Sequence, residues 1–102
     1  MNKERVEIMQ KITSQNAMGI PQETFTSIKT IGTDYIMPYS DASALKDFGF
    51  IVHTTHRTYT HVEVVPGSFL KDAKGNVYRI NQVARYPRIF ALVLEWLHRA
   101  DN

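Results

Sequence analysis

The sequence predicts an α+β protein, mainly β: a small antiparallel β-barrel built from residues 50–98, with an N-terminal helix over residues 1–18. Three observations predict it. "FIVHTTHRTYTHVEVV" is dominated by β-branched and aromatic residues, which suit a pleated, half-buried surface. The breaks "PGSFL", "KDAKGN" and "ARYPR" cut the second half of the chain into strand-length pieces. The opening "MNKERVEIMQKI" sets Val6, Met9 and Ile12 on one stripe with Ile8 beside it, the spacing of a helix that covers another layer.

The elements follow in order. The first helix ends in "AMGIPQ", where Gly19 is a C-terminal stop and Pro21 blocks continuation. A helix–turn–helix over residues 5–31 fails on its second helix. Gln22 to Ile31 is rich in Thr and Ser, and Lys29 is its only base, whereas a recognition helix needs several groups that reach bases or phosphates. Thr24 to Tyr39 reads as one or two short extended pieces. In "SDASALKDFG", Ser40 or Asp41 caps a helical turn through Leu45 and Gly49 stops it.

From Phe50 onward the reading is β. Gly75 and Asn76 are hairpin-turn residues, and "VYRINQV" alternates, with Tyr78 and Ile80 on one side. "IFALVLEWLHR" fits two periods: Ile89, Leu92, Val93 and Trp96 have helical spacing, while Phe90, Leu92, Leu94 and Trp96 alternate as a strand. The strands preceding it favour a strand. The expected core is Val62, Val64, Phe69, Tyr78, Ile80, Phe90, Leu92, Leu94 and Trp96, with Glu95 at the exposed point of its element.

The chain has 102 residues, the size of one domain. There is no cysteine, which excludes disulfides, thiolate zinc sites and cysteine nucleophiles. The N-terminus lacks the apolar run of a secretory signal and no segment is long enough to span a bilayer as a helix, so the expectation is a soluble protein made in the cytoplasm, with no membrane partner. Net charge is only +2, although residues 51–102 hold seven Lys/Arg against four Asp/Glu. That basic half suits phosphate or an acidic protein surface.

The chemistry-bearing stretch is "HTTHRTYTH". In a continuous strand His53, Arg57, Tyr59 and His61 share one side, and His56 points to the other. His53 and His61 would then stand about 26 Å apart, too far to share a metal ion. A hairpin turning at His56–Arg57 would instead bring them together with Arg57 and Tyr59, as the acid, base and phosphate clamp of a metal-independent ribonuclease toxin. "THRT" has none of the Gly, Asn, Asp or Pro residues that tight hairpins favour. The strand reading makes His53, Arg57, Tyr59 and His61 a subunit-contact surface. No phosphate-cradling glycine loop, paired-carboxylate motif or HExxH occurs, and no cofactor or metal is expected.

"VEVVPGSFLKDAKGNVYRINQVARYPRIFALVLEWL", Val62 to Leu97, resembles the β-barrel core of tailed-phage neck proteins, the head-closure or head–tail connector family. The likeness lies in a Pro/Gly-started segment ("PGSFL"), a Gly turn leading to an aromatic-bearing strand ("GNVYRI") and a closing apolar strand. The resemblance implies a non-enzymatic virion protein, a connector or tail-completion subunit. It would form a homo-oligomeric ring between portal or adaptor and tail tube, with room for contact with DNA. An exposed strand edge, a liability in a monomer, would be an adhesive in such a ring. A third reading is a single-strand nucleic-acid-binding barrel that stacks bases on Tyr78, Tyr86 or Trp96.

Overall fold

The apolar stripe at the N-terminus belongs to a strand. The structure is a computed structural model in which residues 4–50 and 52–99 are described. Its elements are β1 (Glu4–Gln15), β2 (Pro21–Thr33), β3 (Met37–Pro38), α1 (Asp41–Phe48), β4 (His56–Thr60), β5 (Phe69–Lys71), β6 (Asn76–Arg85) and β7 (Phe90–Arg99). The expected N-terminal helix over residues 1–18 is thus replaced by β1 (residues 1–3 lie outside the described residues), and the one described helix lies mid-chain. The reason is visible at Ile8 and Met9. β1 is covered on both faces there, with Ile8 opposite Leu70 and Met9 opposite Phe69. Adjacent apolar residues therefore occur in a strand and imitate the i, i+3, i+4 spacing of a helix. Pairing with β2, from Glu4↔Thr33 out to Gln15↔Pro21, is a non-local term that local spacing does not reveal.

The expected barrel is also corrected. All the ladders are antiparallel, in one open sheet ordered β2-β1-β5-β6-β7-β4-β3. The sheet curls until the end of β2 meets β4, but side chains rather than a ladder make most of that contact. Asp34 N–H donates to Tyr59 O at 2.8 Å. The hydroxyls of Thr58 and Thr60 donate to the carbonyls of Asp34 and Gly32 at 2.7 and 2.8 Å. Both threonines are buried, so each hydroxyl satisfies a carbonyl that a neighbouring strand would otherwise take.

The concave face holds the main core, with Ile8, Leu70, Ile80, Leu92 and Leu94 fully buried. Each such side chain contributes roughly 1.5–3 kcal/mol through removal from water. On the convex face, α1 covers one end through Tyr39, Ala44, Val52 and Val93. Met9, Phe69 and Val77 form a smaller cluster at the other end.

Of the expected core residues, Val64, Phe69, Tyr78, Ile80, Leu92 and Leu94 are buried and Phe90 is half-buried. Val62 and Trp96 are corrections, at 38% and 45% exposed. β4 ends at Thr60, so its alternation never reaches Val62. Trp96 pairs with Tyr78, at the edge of the core, where its indole N–H donates to Asn76 Oδ1 at 3.2 Å.

Candidate interface site

Beyond Met9 and Ser27, β1 and β2 form ladders only with each other among the described residues. β5 reaches β1 at Glu7, Ile8 and Met9 alone. The rest of the ladder runs out to the turn Asn16–Ile20 as a two-stranded arm. Asn16 holds that turn: its Oδ1 accepts the N–H groups of Met18 and Ile20 at 2.9 and 3.0 Å. Gly19 supplies the left-handed backbone at φ 78°. A Lys11–Glu23 ion pair at 3.0 Å crosses the arm. Phe25 meets Phe69 edge-on at 4.9 Å and fixes its base.

The arm's apolar side chains are left open. Ile12, Met18, Ile20 and Phe25 are all exposed, Met18 at 84%, as is Ile28 at the bulge where the arm begins. The shape records this. The Cα radius of gyration is 14.5 Å, against about 12.8 Å for a compact domain of this length. The accessible surface is 6727 Å², against roughly 5,900 Å² for a compact monomer of this mass.

At the other side of the sheet, β4 carries the residues singled out in the sequence. Arg57 and Tyr59 point to the convex face under α1. The Arg57 guanidinium lies 4.8 Å from the ring centroid of Tyr39 and 5.8 Å from that of Tyr59. Its Nε is buried with no acceptor among the described residues. Tyr39 donates to Asp47 Oδ2 at 2.5 Å. Burial, and next that bond to the carboxylate, pushes the Tyr39 phenol up to about 12. Tyr86 and Phe48 close the cleft around this group.

The histidines are not brought together. β4 is continuous from His56 to Thr60, so the turn at His56–Arg57 is not formed, and His53 and His61 flank opposite ends of the strand. His53 Nδ1 stands 3.7 Å from Asp41 Oδ2. His61 Nδ1 stands 2.8 Å from Arg88 O. His56 points to the concave face, edge-on to Tyr78 at 5.2 Å. Burial lowers its pKa below the ordinary histidine value. No group of three metal-ligating side chains occurs among the described residues. Of the suggested stacking residues, Tyr78 is buried, while Tyr86, in the β6–β7 turn, and Trp96, in β7, are exposed. Tyr39 and Asp47, which complete the Arg57 cluster, lie at the end of the stretch read as extended and just past the helical turn read through Leu45. Their only sequence signal is a polar–aromatic pair spaced around a short helix.

No family model matches the chain, and no curated protein matches it. Among solved structures it is similar to the solution structure of protein SF1141 from Shigella flexneri 2a, with a TM-score of 0.70, 14% identity, and 93% of this chain and 92% of that chain covered. At that identity the likeness shows the fold alone.

Proposed function

We propose that the chain is a structural, ring-forming subunit of the head–tail connector or tail-completion kind, in which the β1–β2 arm of one copy seats on the next copy. The observation that carries this reading is the arm. A two-stranded ribbon alone is marginal in water, yet this one extends its ladder to Gln15↔Pro21 while leaving Ile12, Met18, Ile20 and Ile28 open. The surface in excess of a compact monomer is roughly 800 Å², about one partner's share of a standard interface. A second copy is the occupant that this area fits.

The sheet order supports a ring rather than a two-fold pair. The arm stands on the β2 side, and His53, Arg57, Tyr59 and His61 stand on or beside β4, across the sheet. Contact between two different surfaces is heterologous, and heterologous contacts generate rings when the rotation closes. In this proposal His53 and His61, exposed at the two ends of β4, and the Arg57–Tyr59 cleft between them receive the neighbour. The resemblance of Val62–Leu97 to phage neck proteins supplies the setting: a virion, with portal or adaptor on one side and tail tube on the other.

Sedimentation velocity and negative-stain electron microscopy of the full chain test this. The expected result is a closed ring. The combined variant Ile12→Thr/Met18→Ser/Ile20→Thr/Ile28→Thr, which spares the Phe25–Phe69 contact, should sediment as a monomer with an unchanged far-ultraviolet spectrum. A full-length protein that stays monomeric at high concentration and cleaves RNA in the presence of EDTA would overturn the reading.

A further inference from the structure

Three cations of this protein are matched by carboxylates among the described residues. Lys11 pairs with Glu23, Arg79 with Glu95 and Arg85 with Glu63. Lys29 donates to the Glu63 carbonyl. Among the carboxylates, Glu4 accepts the Ile36 N–H, Asp41 that of Thr54, Asp34 that of Tyr35, and Asp47 is held by Tyr39.

Four cations gather in a cleft of about 730 Å³ where the start of β1, the end of β2, the β5–β6 turn and the end of β7 meet. Arg5, Lys71, Lys74 and Arg99 line it, and none forms an ion pair with a carboxylate among the described residues. Of the two carboxylates there, Asp72 is already engaged. Its Oδ1 accepts the N–H groups of Lys74 and Asn76, both at 2.9 Å, and its Oδ2 accepts from Asn76 Nδ2 at 3.1 Å. That leaves Glu7 facing four cations. The turn is also rigid. Gly75 takes φ 90°, and Gly75 N–H donates to Asp72 O at 3.1 Å. Arg99 Nε donates to Lys74 O at 3.1 Å, which fixes the root of its guanidinium and leaves the terminal nitrogens to the cleft.

We propose that this cleft is a binding site for the phosphate backbone of double-stranded nucleic acid. Arginine forks and lysine ammonium groups are the side chains that hold phosphate oxygens. None of the described lining residues is aromatic, so they offer no platform for unstacked bases, on which single-strand binders depend. Val6 and Ala73 are the only apolar side chains among the described lining residues, and Val6 is buried, so these residues make no anchor pocket for a peptide. What remains is charge and hydrogen-bond donors at a rigid turn, the equipment of sequence-independent backbone contact. The site does not depend on the assembly reading: a monomer would carry it intact.

Fluorescence anisotropy of a labelled random-sequence DNA duplex, titrated with full-length protein over a series of salt concentrations, tests it. Each phosphate neutralised contributes about 0.9 to the slope of log K against log salt. The variant Arg5→Gln/Lys71→Gln/Lys74→Gln should therefore lower that slope by roughly 2.7 with an unchanged far-ultraviolet spectrum. Glu7→Gln, which removes one of the two opposing charges, should bind more tightly than the wild type. An unchanged slope in the triple variant would overturn the proposal. Two other outcomes would also overturn it: a poly-glutamate peptide that competes as well as duplex, which would make the site a protein-docking one, or inorganic phosphate that competes far below the concentration at which salt alone acts, which would make it a small-molecule pocket.

Discussion

His56 shows how one strand position decides a residue's chemistry. Because β4 continues through it, its imidazole faces the concave side against Tyr78 rather than joining His53 and His61. Burial disfavours the charged ring there and lowers its pKa from 6.5. Asp72 opposes that shift without reversing it. Below pH 6.5 the unfolded chain takes up a proton that the folded protein resists. Stability is therefore complete above the unfolded pKa and falls as pH drops toward the lowered folded value. Urea denaturation at pH 7.5 and at pH 5 should show the wild type losing stability at the acid end, and His56→Gln should flatten that loss. An equal loss in both proteins would assign the acid sensitivity to other groups. Arg57 has a different lesson. Its stem and guanidinium are packed against Tyr39 and Tyr59, so a charge reversal there would disturb the fold as well as a contact surface. His53 and His61 are the cleaner probes of assembly.

Among elements, α1 was the most legible. Ser40 caps it by accepting the Ser43 N–H at 3.1 Å, and Gly49 ends it at φ 78° with its N–H donated to Leu45 O at 2.8 Å. Both signals are local and involve residue types that only a helix end uses in that order. The helix runs past Leu45 to Phe48, directly before the Gly49 stop, and Phe48 packs on the Tyr39–Val93 cluster. Ser40→Ala should cost about 1 kcal/mol, read as a shift in urea midpoint with unchanged slope. A neutral result would mean that tertiary packing alone holds the helix. β6 was legible for a related reason: Tyr78 and Ile80 alternate onto the core, although the ladder shifts at Val77/Tyr78 and Ile80/Gln82. β7 is buried on both faces from Ala91 to Leu94, so its apolar run fits a helical and a strand period alike. β1 and β2 were not legible. Their outer halves have no buried face, so Thr, Ser and Gln replace the alternation that marks a strand. At Ile8–Met9 burial on both sides produces a false helical period. The long strand expected through residues 50–65 shortens to His56–Thr60, because Thr54 turns its hydroxyl onto the Leu94 and His56 carbonyls at 2.8 and 2.9 Å.

For the whole molecule, the question is whether the arm belongs to the folding unit or only to its contacts. β1 is anchored by β5 at Glu7–Met9 and its core residues Val6 and Ile8 lie before the arm begins. β2 returns through Ile31 and Thr33, both buried. The segment between adds exposed surface and little core, while it lengthens the molecule to 47 Å along one axis against 29 and 25 Å across. Lys11 and Phe25 are register partners, so an Asn-Gly turn joined directly between them would close a tight hairpin without altering the ladder below. The shortened protein should fold with an intact β spectrum, and its radius of gyration in small-angle scattering should drop toward that of a compact domain. It should also sediment as a monomer and still bind duplex with the salt slope of the full chain, since the basic cleft lies at the body end of β1 and β2. If it instead unfolds, the arm is a structural strand pair whose outer ladder supports the sheet. If it folds and still forms rings, the contact between copies lies elsewhere on the sheet.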